Sequence, residues 1–374
     1  MDFDYVLVGG GLQAGLIVLA VRAAQPQARI AVVERGATLG GNHTWCFHAD
    51  DLRGAGALPA TGAPGAWIEP LIEARWPGYD VAFPGLRRGL DSAYACVTSE
   101  RLDRVVRPRV DELALDTTAL AIHGDRVETT RGELRGRVVT DARGPAQLAT
   151  SKTGWQTFVG QEVRAPGHGL ERPILMDATV EQAGGFRFFY VLPLAPDRLL
   201  IEDTCFTSTP YLDVPACRVA IQQYAEAHGW AIDAVIREET GVIALPLALE
   251  VPAPGAPFVA GYGGGYFHPV TGYSFPIAAR VAAAIATGEP EALRALHRAH
   301  LAQLPFALRL NRMLFQWFAP AQRYHVLERF YRMPEPVIRR FYALELTALD
   351  RARFFVGRPP RGLSLRGMLG GVAR

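Results

Sequence analysis

The stretch Tyr5-Val6-Leu7-Val8-Gly9-Gly10-Gly11-Leu12 decides the fold of the first part of the chain. Four apolar residues in a row are typical of a buried parallel strand, and the three glycines after them force a tight turn. Residues 12–24 are rich in helix formers, with apolar residues spaced to face a sheet. Pro26 ends this predicted helix, and the apolar run Ile30-Ala31-Val32-Val33 predicts a second buried strand. The order strand, turn, helix, strand predicts a parallel α/β domain.

The glycine turn has the spacing of a dinucleotide-binding fingerprint. Its first glycines let backbone approach a pyrophosphate, a small third residue lets helix and strand pack closely, and the helix N-terminus favours phosphate anions. A carboxylate at the end of the second strand can accept hydrogen bonds from ribose hydroxyls. The alternative is a glycine turn without a ligand. We predict a Rossmann-type domain whose dinucleotide-binding residues are Gly9, Gly11, Ala14, Gly15, Glu34 and Arg35.

Length and composition narrow the class of protein. A chain of 374 residues is long enough for two or three domains, and 49% hydrophobic with 20% charged residues argues against disorder. The net charge of +2 gives no electrostatic reason to expect nucleic acid as a partner. Four scattered cysteines form no CxxC pair, so we expect no metal site, no disulfide framework and reduced thiols in a cytoplasm. No apolar run reaches the roughly 18 residues of a membrane-spanning helix, which leaves contact with a membrane surface open.

Two later segments favour FAD over NAD as the dinucleotide. The first, Val138-Val139-Thr140-Asp141-Ala142-Arg143-Gly144, is an apolar strand that ends in a small-residue turn. The second, Gly261-Tyr262-Gly263-Gly264-Gly265-Tyr266-Phe267-His268-Pro269-Val270-Thr271-Gly272-Tyr273, precedes a predicted helix and offers a second site for anions and for close approach of a ring. The alternatives are an ordinary strand end and a flexible loop. We predict further FAD-binding residues at Asp141, Gly261, Gly264, Gly265, Thr271 and Gly272.

The rest of the chain predicts a β-rich middle and a helical end. Residues 50–70 are rich in Gly, Ala and Pro and predict irregular structure. The other predictions are a helix at 101–110, strands at 120–141 with a hairpin turn at Gly124-Asp125, a sheet at 158–206 with a turn at 195–198, a helix at 211–229, a short strand at 258–260, a helix at 277–286 and helices from 291 to 355.

Finer motifs point to one family. They are Gly40-Gly41-Asn42-His43-Thr44-Trp45 with Phe47-His48, Met176-Asp177-Ala178-Thr179-Val180, Leu192-Pro193-Leu194, Ile201-Glu202-Asp203-Thr204, and His268-Pro269-x-Thr271-Gly272-Tyr273 after Gly264-Gly265. The dinucleotide fold, the Asp-Ala-Arg-Gly turn and the late glycine-rich loop resemble the FAD-dependent monooxygenase and reductase superfamily. The finer motifs resemble the bacterial lycopene β-cyclase family.

The resemblance implies an α/β flavoprotein with three parts. These are a discontinuous FAD-binding domain of residues 1–50, 90–155 and 255–290, an inserted antiparallel β-sheet substrate domain of residues 156–254, and a helical region of residues 291–374. By superfamily analogy, Arg101 touches the FAD phosphates.

The implied activity is that of an isomerase. It closes the open ψ ends of lycopene to β-ionone rings and gives β-carotene through γ-carotene. The family uses reduced FAD without net redox change, and NAD(P)H can supply the electrons. A flavin-dependent monooxygenase or prenyl reductase acting on another lipid, and a non-catalytic FAD-binding membrane protein, are the alternatives.

Such a ring closure needs a strong general acid, a base, stabilisation of a cation and exclusion of water. Glu202 is the first candidate for the acid, because a carboxyl group beside Leu199-Leu200-Ile201 is costly to bury unless it is used or paired. The pattern equally allows Glu202 to face solvent, and the resemblance favours catalysis. Asp203, on the other face of the strand, is either a second proton-handling group or a structural acceptor. Glu239 is a further carboxylate candidate, and Asp177 is expected to be structural.

Histidines and aromatic residues complete the candidate site. His43 and His48 flank Trp45 and either shuttle protons or shape the loop near the flavin. His268 is expected to support the flavin loop. Three aromatic side chains alternate on one strand face and either line a slot for a polyene or pack in the core: Phe186, Phe188 and Tyr190.

A substrate that resides in lipid implies contact with a membrane surface. We therefore expect a cytoplasmic protein, peripheral on the inner face of the cell membrane. Aromatic residues mixed with arginines in the C-terminal helices suit such an interface, and the alternative is an ordinary helical cap. The aromatic residues are Phe315, Trp317, Phe318, Tyr324, Phe330, Tyr331, Phe341 and Tyr342.

Overall fold

The computed structural model describes residues 2–55, 58, 63–144, 153–182 and 184–363. The strands are β1 (Phe3–Val8), β2 (Ile30–Val33), β3 (Thr44–His48), β4 (Ala74–Trp76), β5 (Tyr79–Phe83), β6 (Leu86–Leu90), β7 (Tyr94–Thr98), β8 (Glu112–Ala114), β9 (Ala119–Ile122), β10 (Arg126–Thr129), β11 (Gly132–Asp141), β12 (Thr153–Arg164), β13 (Ile174–Asp177), β14 (Phe186–Ala195), β15 (Arg198–Thr207), β16 (Ala234–Pro246) and β17 (Phe258–Val259). The α-helices are α1 (Leu12–Ala24), α2 (Ser99–Val106), α3 (Val214–Ala227), α4 (Phe275–Ala286), α5 (Pro290–Trp317), α6 (Tyr324–Phe330), α7 (Glu335–Tyr342) and α8 (Ala348–Arg353).

The first sheet is the Rossmann-type core that the opening sequence predicts. Its order is β8-β2-β1-β11-β10-β9, with β17 also paired to β11. The pairs β1–β2, β1–β11, β2–β8 and β11–β17 are parallel. Side chains of β1 alternate between its two faces, so Tyr5 and Leu7 join the core that holds α1 and α4, whereas Val6 and Val8 join a smaller cluster over the β9–β10 hairpin.

Three parallel strands bring the glycine-rich segments to one edge of this sheet. Because β1, β11 and β17 run in the same direction, their carboxyl ends meet there. Gly9 has φ +98°, and a Cβ on it would lie 2.7 Å from the carbonyl oxygen of Ala142. Only glycine fits this close approach of β1 to the end of β11. Residues 9–11, 141–144 and 261–265 therefore lie together.

The second sheet has the order β16-β12-β15-β14-β13-β5-β6, and its neighbours are antiparallel except for β5 with β13. One face carries α3, where the Phe189 ring stacks on Tyr224 at 4.0 Å between centroids. The other face carries Leu200, Phe186 and Phe206 and belongs to the same core as α1 and α4. The sheet thus lies between α3 and the dinucleotide-binding part of the molecule.

Several predicted elements differ in detail. Residues 49–55 and 66–71 form 3₁₀ helices rather than purely irregular chain, and the helix predicted at 101–110 starts at Ser99 and ends at Val106. Strands β5 and β6 come from residues 79–90 and join the second sheet, although the boundaries drawn from the sequence did not assign them. The parts of those boundaries at 145–152 and 364–374 lie outside the described residues.

The aromatic residues proposed for membrane contact are mostly core residues. Phe318, Phe330, Tyr331, Phe341 and Tyr342 are buried. The remaining three, Phe315, Trp317 and Tyr324, are partly buried. The reason is that α5, α6 and α7 turn their aromatic faces toward each other and toward the sheet, where more apolar surface leaves water. For these eight residues, burial favours the alternative that the sequence left open, an ordinary helical cap. In the part of the chain that the structure describes, no helix is both long and apolar enough to cross a membrane.

We predict that Asn311→Asp destabilises the fold. The Asn311 amide nitrogen donates to three carbonyls, of Leu245, Pro246 and Pro269, at 2.8–3.0 Å. An aspartate of the same shape cannot donate when ionised, and each buried carbonyl left unpaired costs about 1–3 kcal/mol. The thermal unfolding midpoint should fall, and should partly recover at low pH, where a protonated carboxyl donates again.

Gln316→Glu is the matched control, because it makes the same chemical change at an exposed position of the same helix. An unchanged midpoint in Asn311→Asp would show that these hydrogen bonds do not stabilise the junction of α5 with β16.

Candidate active site

The edge where β1, β11 and β17 end has the features of a dinucleotide site. Helix α1 begins after Gly11, with no side-chain cap and no acidic residue in its first turn. A Cβ on Gly11 would meet no atom within 4 Å, so the space in front of the helix is open. The buried Oε1 of Gln13, in that first turn, has no hydrogen-bond partner among the described residues. The free N–H groups at the start of the helix and the open space in front of it suit a bound phosphate. The Gln13 oxygen could accept a hydrogen bond from a sugar hydroxyl next to that phosphate.

The Glu34 carboxylate is engaged with the glycine turn. Its oxygens accept hydrogen bonds from the backbone N–H of Gly10 at 2.6 Å and of Gly36 at 2.7 Å. Each oxygen has a second lone pair, so both can still accept from a ribose hydroxyl. Arg35 is exposed beside it. Sequence reasoning assigned Glu34 to the ribose alone and missed that it also holds the turn.

Two other residues assigned to the cofactor have protein partners. Asp141 forms a two-pronged ion pair with Arg143, at 3.0 and 2.8 Å. The Arg101 guanidinium donates to the carbonyl oxygen of Pro70 at 2.8 Å. Both residues lie on the dinucleotide-binding part of the fold, and both side chains are partly exposed.

The glycine-rich loop joins this edge to the second sheet. Residues 261–264 form a 3₁₀ turn, and Gly261 packs against Gln13 of α1. Tyr262 donates its hydroxyl to the Gly272 carbonyl. A Cβ on Gly272 would lie 3.6 Å from Oε1 of Gln156 on β12, which has no hydrogen-bond partner among the described residues. The Thr271 hydroxyl accepts from the N–H of Tyr273 at 3.3 Å. The loop thus places small residues and the Gln156 amide oxygen between the two sheets.

His268 is part of the internal structure of this loop. Its Nδ1 accepts from the N–H of Val270 at 3.2 Å, and its ring packs on Phe341 with 4.6 Å between centroids. Burial lowers the pKa of His268 to about 3. A neutral, fully buried imidazole of this kind supports the loop and does not exchange protons at neutral pH.

Glu202 and Glu239 lie in one row across the second sheet. Gly160 on β12 pairs with Glu202 on β15 and with Glu239 on β16, so all three share a face. A Cβ on Gly160 would lie 3.2 Å from Cγ of Glu239 and 3.5 Å from Cβ of Glu202. Because Gly160 has no side chain, the two carboxyl groups approach each other over it. The row is on the face that looks toward the dinucleotide-binding part.

The Glu202 carboxyl holds its proton more tightly than an ordinary glutamate does. Burial, with a smaller contribution from the charge of Glu239 and against the Thr204 hydroxyl that donates to it, raises the pKa of Glu202 to about 8. Burial also raises the pKa of Glu239, against the opposing effect of Arg237, whose Nη1 is 2.7 Å from its carboxylate. A protonated carboxyl beside a second, ion-paired carboxyl is an arrangement that can give up a proton and take one back.

Residues 42–44 connect this row to the other domain. The Thr44 hydroxyl accepts from Arg237 Nη2 at 2.8 Å and donates to Glu239 at 3.2 Å. Asn42 donates to the carbonyl of Glu238 and accepts from Arg237 at 3.1 Å. Burial, with a contribution from Arg237, lowers the pKa of His43. The Gly-Gly-Asn-His-Thr segment therefore holds Glu239 in place, a role that its sequence did not reveal.

Asp203 is not part of the row. It lies on the α3 face of β15, where Arg187 donates to it twice, at 2.8 and 2.7 Å. Alternation along the strand separates it from Glu202, as the sequence predicts, and the bidentate ion pair favours the structural alternative over the catalytic assignment. Asp177 is also structural, because it accepts from Tyr224 at 2.9 Å and from Thr179.

A cluster of packed tyrosine side chains around His48, here called the phenol chamber, extends from Glu202 into the protein. Tyr190 is the cross-strand neighbour of Glu202, and its hydroxyl lies 3.2 Å from that of Tyr94. His48 lies at the centre of the chamber, buried, with ring centroids 5.0–6.2 Å from the rings of Tyr79, Tyr94, Tyr273 and Tyr342. Burial lowers the pKa of His48 to about 3, so it carries no charge at neutral pH.

Asp51 closes the far side of this chamber. It accepts from the Tyr273 hydroxyl at 2.6 Å and from the backbone N–H of His48 at 3.0 Å. Burial raises the pKa of Asp51 to about 7. Sequence reasoning missed Asp51, Tyr79 and Tyr94, because they come from distant segments, and it considered Tyr342 only for a membrane surface. Tyr190 was singled out by its alternation with Phe186 and Phe188. Tyr273 carried a signal as the last residue of the glycine-rich motif.

The aromatic residues of β14 divide between two roles. Phe186 and Phe188 pack on each other with 5.0 Å between ring centroids and on Phe206 at 5.5 and 5.9 Å. They form the dry floor beside the carboxyl row. Tyr190 is partly buried and turns its hydroxyl into the phenol chamber.

The chain is similar to known proteins over nearly its whole length. Residues 4–366 match the family described as "Lycopene cyclase protein". The chain is 41% identical over 372 residues to "Lycopene beta-cyclase" of Pseudescherichia vulneris, covering 96% of this chain and 94% of that protein. It is 41% identical over 373 residues to "Lycopene beta-cyclase" of Pantoea ananas, covering 96% of this chain and 95% of that protein.

Solved structures share the fold at low sequence identity. A geranylgeranyl bacteriochlorophyll reductase-like protein of Thermoplasma acidophilum superposes with a TM-score of 0.60 at 10% identity, covering 100% of this chain and 96% of that one. A flavin-dependent brominase superposes with a TM-score of 0.60 at 14% identity, covering 95% and 97%. These likenesses concern the fold alone. The family match covers nearly the whole chain and is supported by relatives at 41% identity. The chain therefore belongs to the lycopene cyclase family.

Proposed function

We propose that this protein is a lycopene β-cyclase. It closes the ψ ends of lycopene to β-ionone rings and gives β-carotene through γ-carotene. The observation that carries the proposal is the pairing of Glu202, whose pKa is raised to about 8, with Glu239 across Gly160, on the sheet face that looks toward the dinucleotide site. The chain that holds this pair is 41% identical to two named lycopene β-cyclases. An acid-initiated ring closure needs a carboxylic acid that keeps its proton until the alkene is next to it.

The residues at the glycine-rich edge fit FAD. Gly9, Gly11, Ala14 and Gly15 would receive the pyrophosphate at the start of α1, Glu34 and Arg35 would lie at the ribose, and Arg101 would lie near the phosphates. The segment with Asp141, and the loop with Gly261, Gly264, Gly265, Thr271 and Gly272, would hold the rest of the cofactor. When bound and reduced, with NAD(P)H as electron donor, the flavin supplies negative charge near the cation.

The chain's own residues carry the proton transfers. Glu202 gives its proton to the terminal alkene carbon, and a tertiary cation forms. The neighbouring double bond attacks that cation and closes the ring. Loss of one proton from the ring restores neutrality, so the substrate gains and loses one proton and no electrons. Arg237 and Thr44 hold Glu239 next to Glu202, where it can accept a proton.

Two further groups support the cation. Tyr190 is the cross-strand neighbour of Glu202, and Tyr94 lies behind it with the two hydroxyls 3.2 Å apart. A cation over the face of such a ring would be stabilised by about 0.5–2 kcal/mol. Phe186, Phe188 and Phe206 exclude water from the floor of the site, which prevents capture of the cation as an alcohol.

The first test uses bacteria that accumulate lycopene. Expression of this chain should give a new carotenoid of unchanged mass, and Glu202→Gln should lower its formation at least about 100-fold, the usual contribution of a general acid. Glu238→Gln, which makes the same change at the residue that pairs with the exposed Arg218, should retain activity. Products are separated by chromatography with mass detection.

A product whose mass has changed by hydrogen or oxygen would contradict the cyclase and indicate a reductase or an oxygenase. Full activity of Glu202→Gln would remove Glu202 from the reaction.

The pH dependence tests the coupling of the two carboxyl groups. Glu202 must be protonated to act, so kcat/KM should fall as the pH rises through about 8. The charge of Glu239 raises the pKa of Glu202, so its removal in Glu239→Gln should lower that pKa and start the fall at a lower pH. The pH profile of Glu238→Gln should match the wild type. A profile of Glu239→Gln that coincides with the wild type would show that the two groups do not interact.

Flavin binding is tested at Gly11. A methyl group there meets no protein atom in the structure, so Gly11→Ala should leave the stability of the apoprotein nearly unchanged. The methyl would occupy the space in front of α1 that a pyrophosphate needs, and FAD affinity should fall by about tenfold or more. Reconstitution with FAD, followed by flavin absorbance, measures this. Equal FAD affinity would place the cofactor elsewhere.

A further inference from the structure

An exposed apolar surface lies on α8 and in the residues after it. In the described part of the chain, Leu349, Phe355 and Val356 are large apolar residues with 63%, 52% and 70% of their surface exposed. These three exposed side chains lie within eight residues of one another in the sequence. Exposed apolar residues gathered in this way are typical of an interaction surface. We call residues 349–363 the apolar-basic segment.

The charge of this end of the chain has one sign. From residue 351 onward the sequence holds six arginines, at 351, 353, 358, 361, 366 and 374, and no aspartate or glutamate. Arg353, Arg358 and Arg361 are exposed. The acidic residue just before this stretch, Asp350, is buried and receives two hydrogen bonds from Arg340. Arg353 also pairs with Asp350, at 3.3 Å, whereas Arg358 and Arg361 have no carboxylate partner among the described residues. Exposed apolar residues beside these two arginines match an anionic lipid surface.

The segment is held on the protein in a defined position. Arg329 donates to the carbonyls of Phe354 and Val356, at 3.3 and 2.6 Å. The Phe354 ring turns inward and packs on Phe341 with 5.8 Å between centroids. Leu363 forms a β-bridge with Phe318 at the end of α5. The backbone is therefore anchored at both ends, while Phe355 and Val356 stay outside.

An apolar cavity of about 290 Å³ lies directly behind the segment. Phe354, Phe355, Pro359, Pro360 and Leu363 form its outer wall. Its other walls come from α5, α6, α7 and the glycine-rich loop, with Leu310, Met313, Leu314, Trp317, Leu327, Phe330, Phe341 and Val270. Arg329 is the charged residue among the lining side chains, and its guanidinium is occupied by the two carbonyls. Val270 belongs to the loop that would hold the flavin, so the cavity separates the exposed segment from the cofactor loop.

We propose that the apolar-basic segment docks on an anionic phospholipid bilayer, and that the cavity behind it receives the hydrocarbon chain of the substrate as it leaves the bilayer. Phe355 and Val356 enter the lipid, and the arginines contact the headgroups. The identity of the hydrocarbon rests on the proposed cyclase function, whereas the docking surface does not.

Vesicle binding tests the docking surface. Wild-type protein with the cofactor bound should co-sediment with vesicles of phosphatidylcholine containing phosphatidylglycerol, and at least tenfold more weakly with phosphatidylcholine alone. The double variants Phe355→Ser/Val356→Ser and Arg358→Glu/Arg361→Glu should each lower binding to the anionic vesicles at least tenfold.

The matched controls change the same chemistry on other faces. Leu120→Ser removes a side chain with 66% of its surface exposed on β9, and Arg104→Glu/Arg131→Glu reverses two exposed charges. Both should bind as the wild type does. Equal losses in controls and test variants, or no loss in the test variants, would overturn the docking surface. Concentration-dependent dimers that dissociate in Phe355→Ser/Val356→Ser would instead make this face a contact between two copies.

Ligand binding tests the cavity. The fluorescent polyene cis-parinaric acid should bind and quench the emission of Trp317, which lines the cavity. Met313→Trp and Leu314→Phe add volume inside the cavity, and at least one of the two should fold and lower polyene affinity at least fivefold while vesicle binding stays unchanged. Polyene affinity equal to the wild type in a folded, filled variant would overturn the role of the cavity.

The outcomes separate this proposal from the cyclase function. If the docking surface is right, Arg358→Glu/Arg361→Glu, which changes no residue lining the cavity, should lose activity on lycopene in anionic vesicles and keep it on lycopene in detergent micelles. Equal loss in both would contradict docking. A wild-type protein that binds vesicles and cyclises lycopene in neither would overturn the function and leave the docking surface standing.

Discussion

Two carboxyl groups that share a water-poor surface cannot both be ionised, and the centre of this molecule is arranged around that constraint. Gly160 removes the side chain that would separate Glu202 from Glu239. Arg237 and Thr44 hold the ion-paired member, so the proton stays on Glu202. The cost of burying these groups is offset by the ion pair and by hydrogen bonds.

The same constraint links the two sheets. Residues 42–44 extend from the dinucleotide-binding part and contact Arg237 and Glu239 on the second sheet. These contacts fix the carboxyl row relative to the dinucleotide-binding part. Tyr273 makes a second connection of this kind. It belongs to the glycine-rich loop, and its hydroxyl donates to Asp51 beside the phenol chamber. A ligand at the strand ends and a substrate at the carboxyl row would therefore be held against one another by hydrogen bonds that cross the interface.

Much of this was predictable from local patterns. The glycine turn, the helix after it and the strand before it follow from residues adjacent in the chain, and the alternation in β15 placed Glu202 and Asp203 on opposite faces. The partners were not predictable, because they are distant in sequence. Asp203 meets Arg187 and Glu34 meets Gly10 only in the folded chain. The burial of the C-terminal aromatic residues was not predictable either. Their sequence suits a membrane surface and a packed core equally well, and in the structure most of them are in the core.

The sequence by itself determined the Rossmann-type fold, the β-rich middle, the position of the candidate acid and the resemblance to one family, because each depends on short-range periodicity or on short motifs. The tertiary structure decided which carboxyl groups meet, which arginines neutralise them, and which aromatic residues remain in water. Those features depend on register between strands and on packing between helices, and neither is encoded in any one segment. Gly160 shows the difference most clearly. In the sequence it is a glycine inside a strand, and in the fold it is the gap over which two carboxyl groups meet.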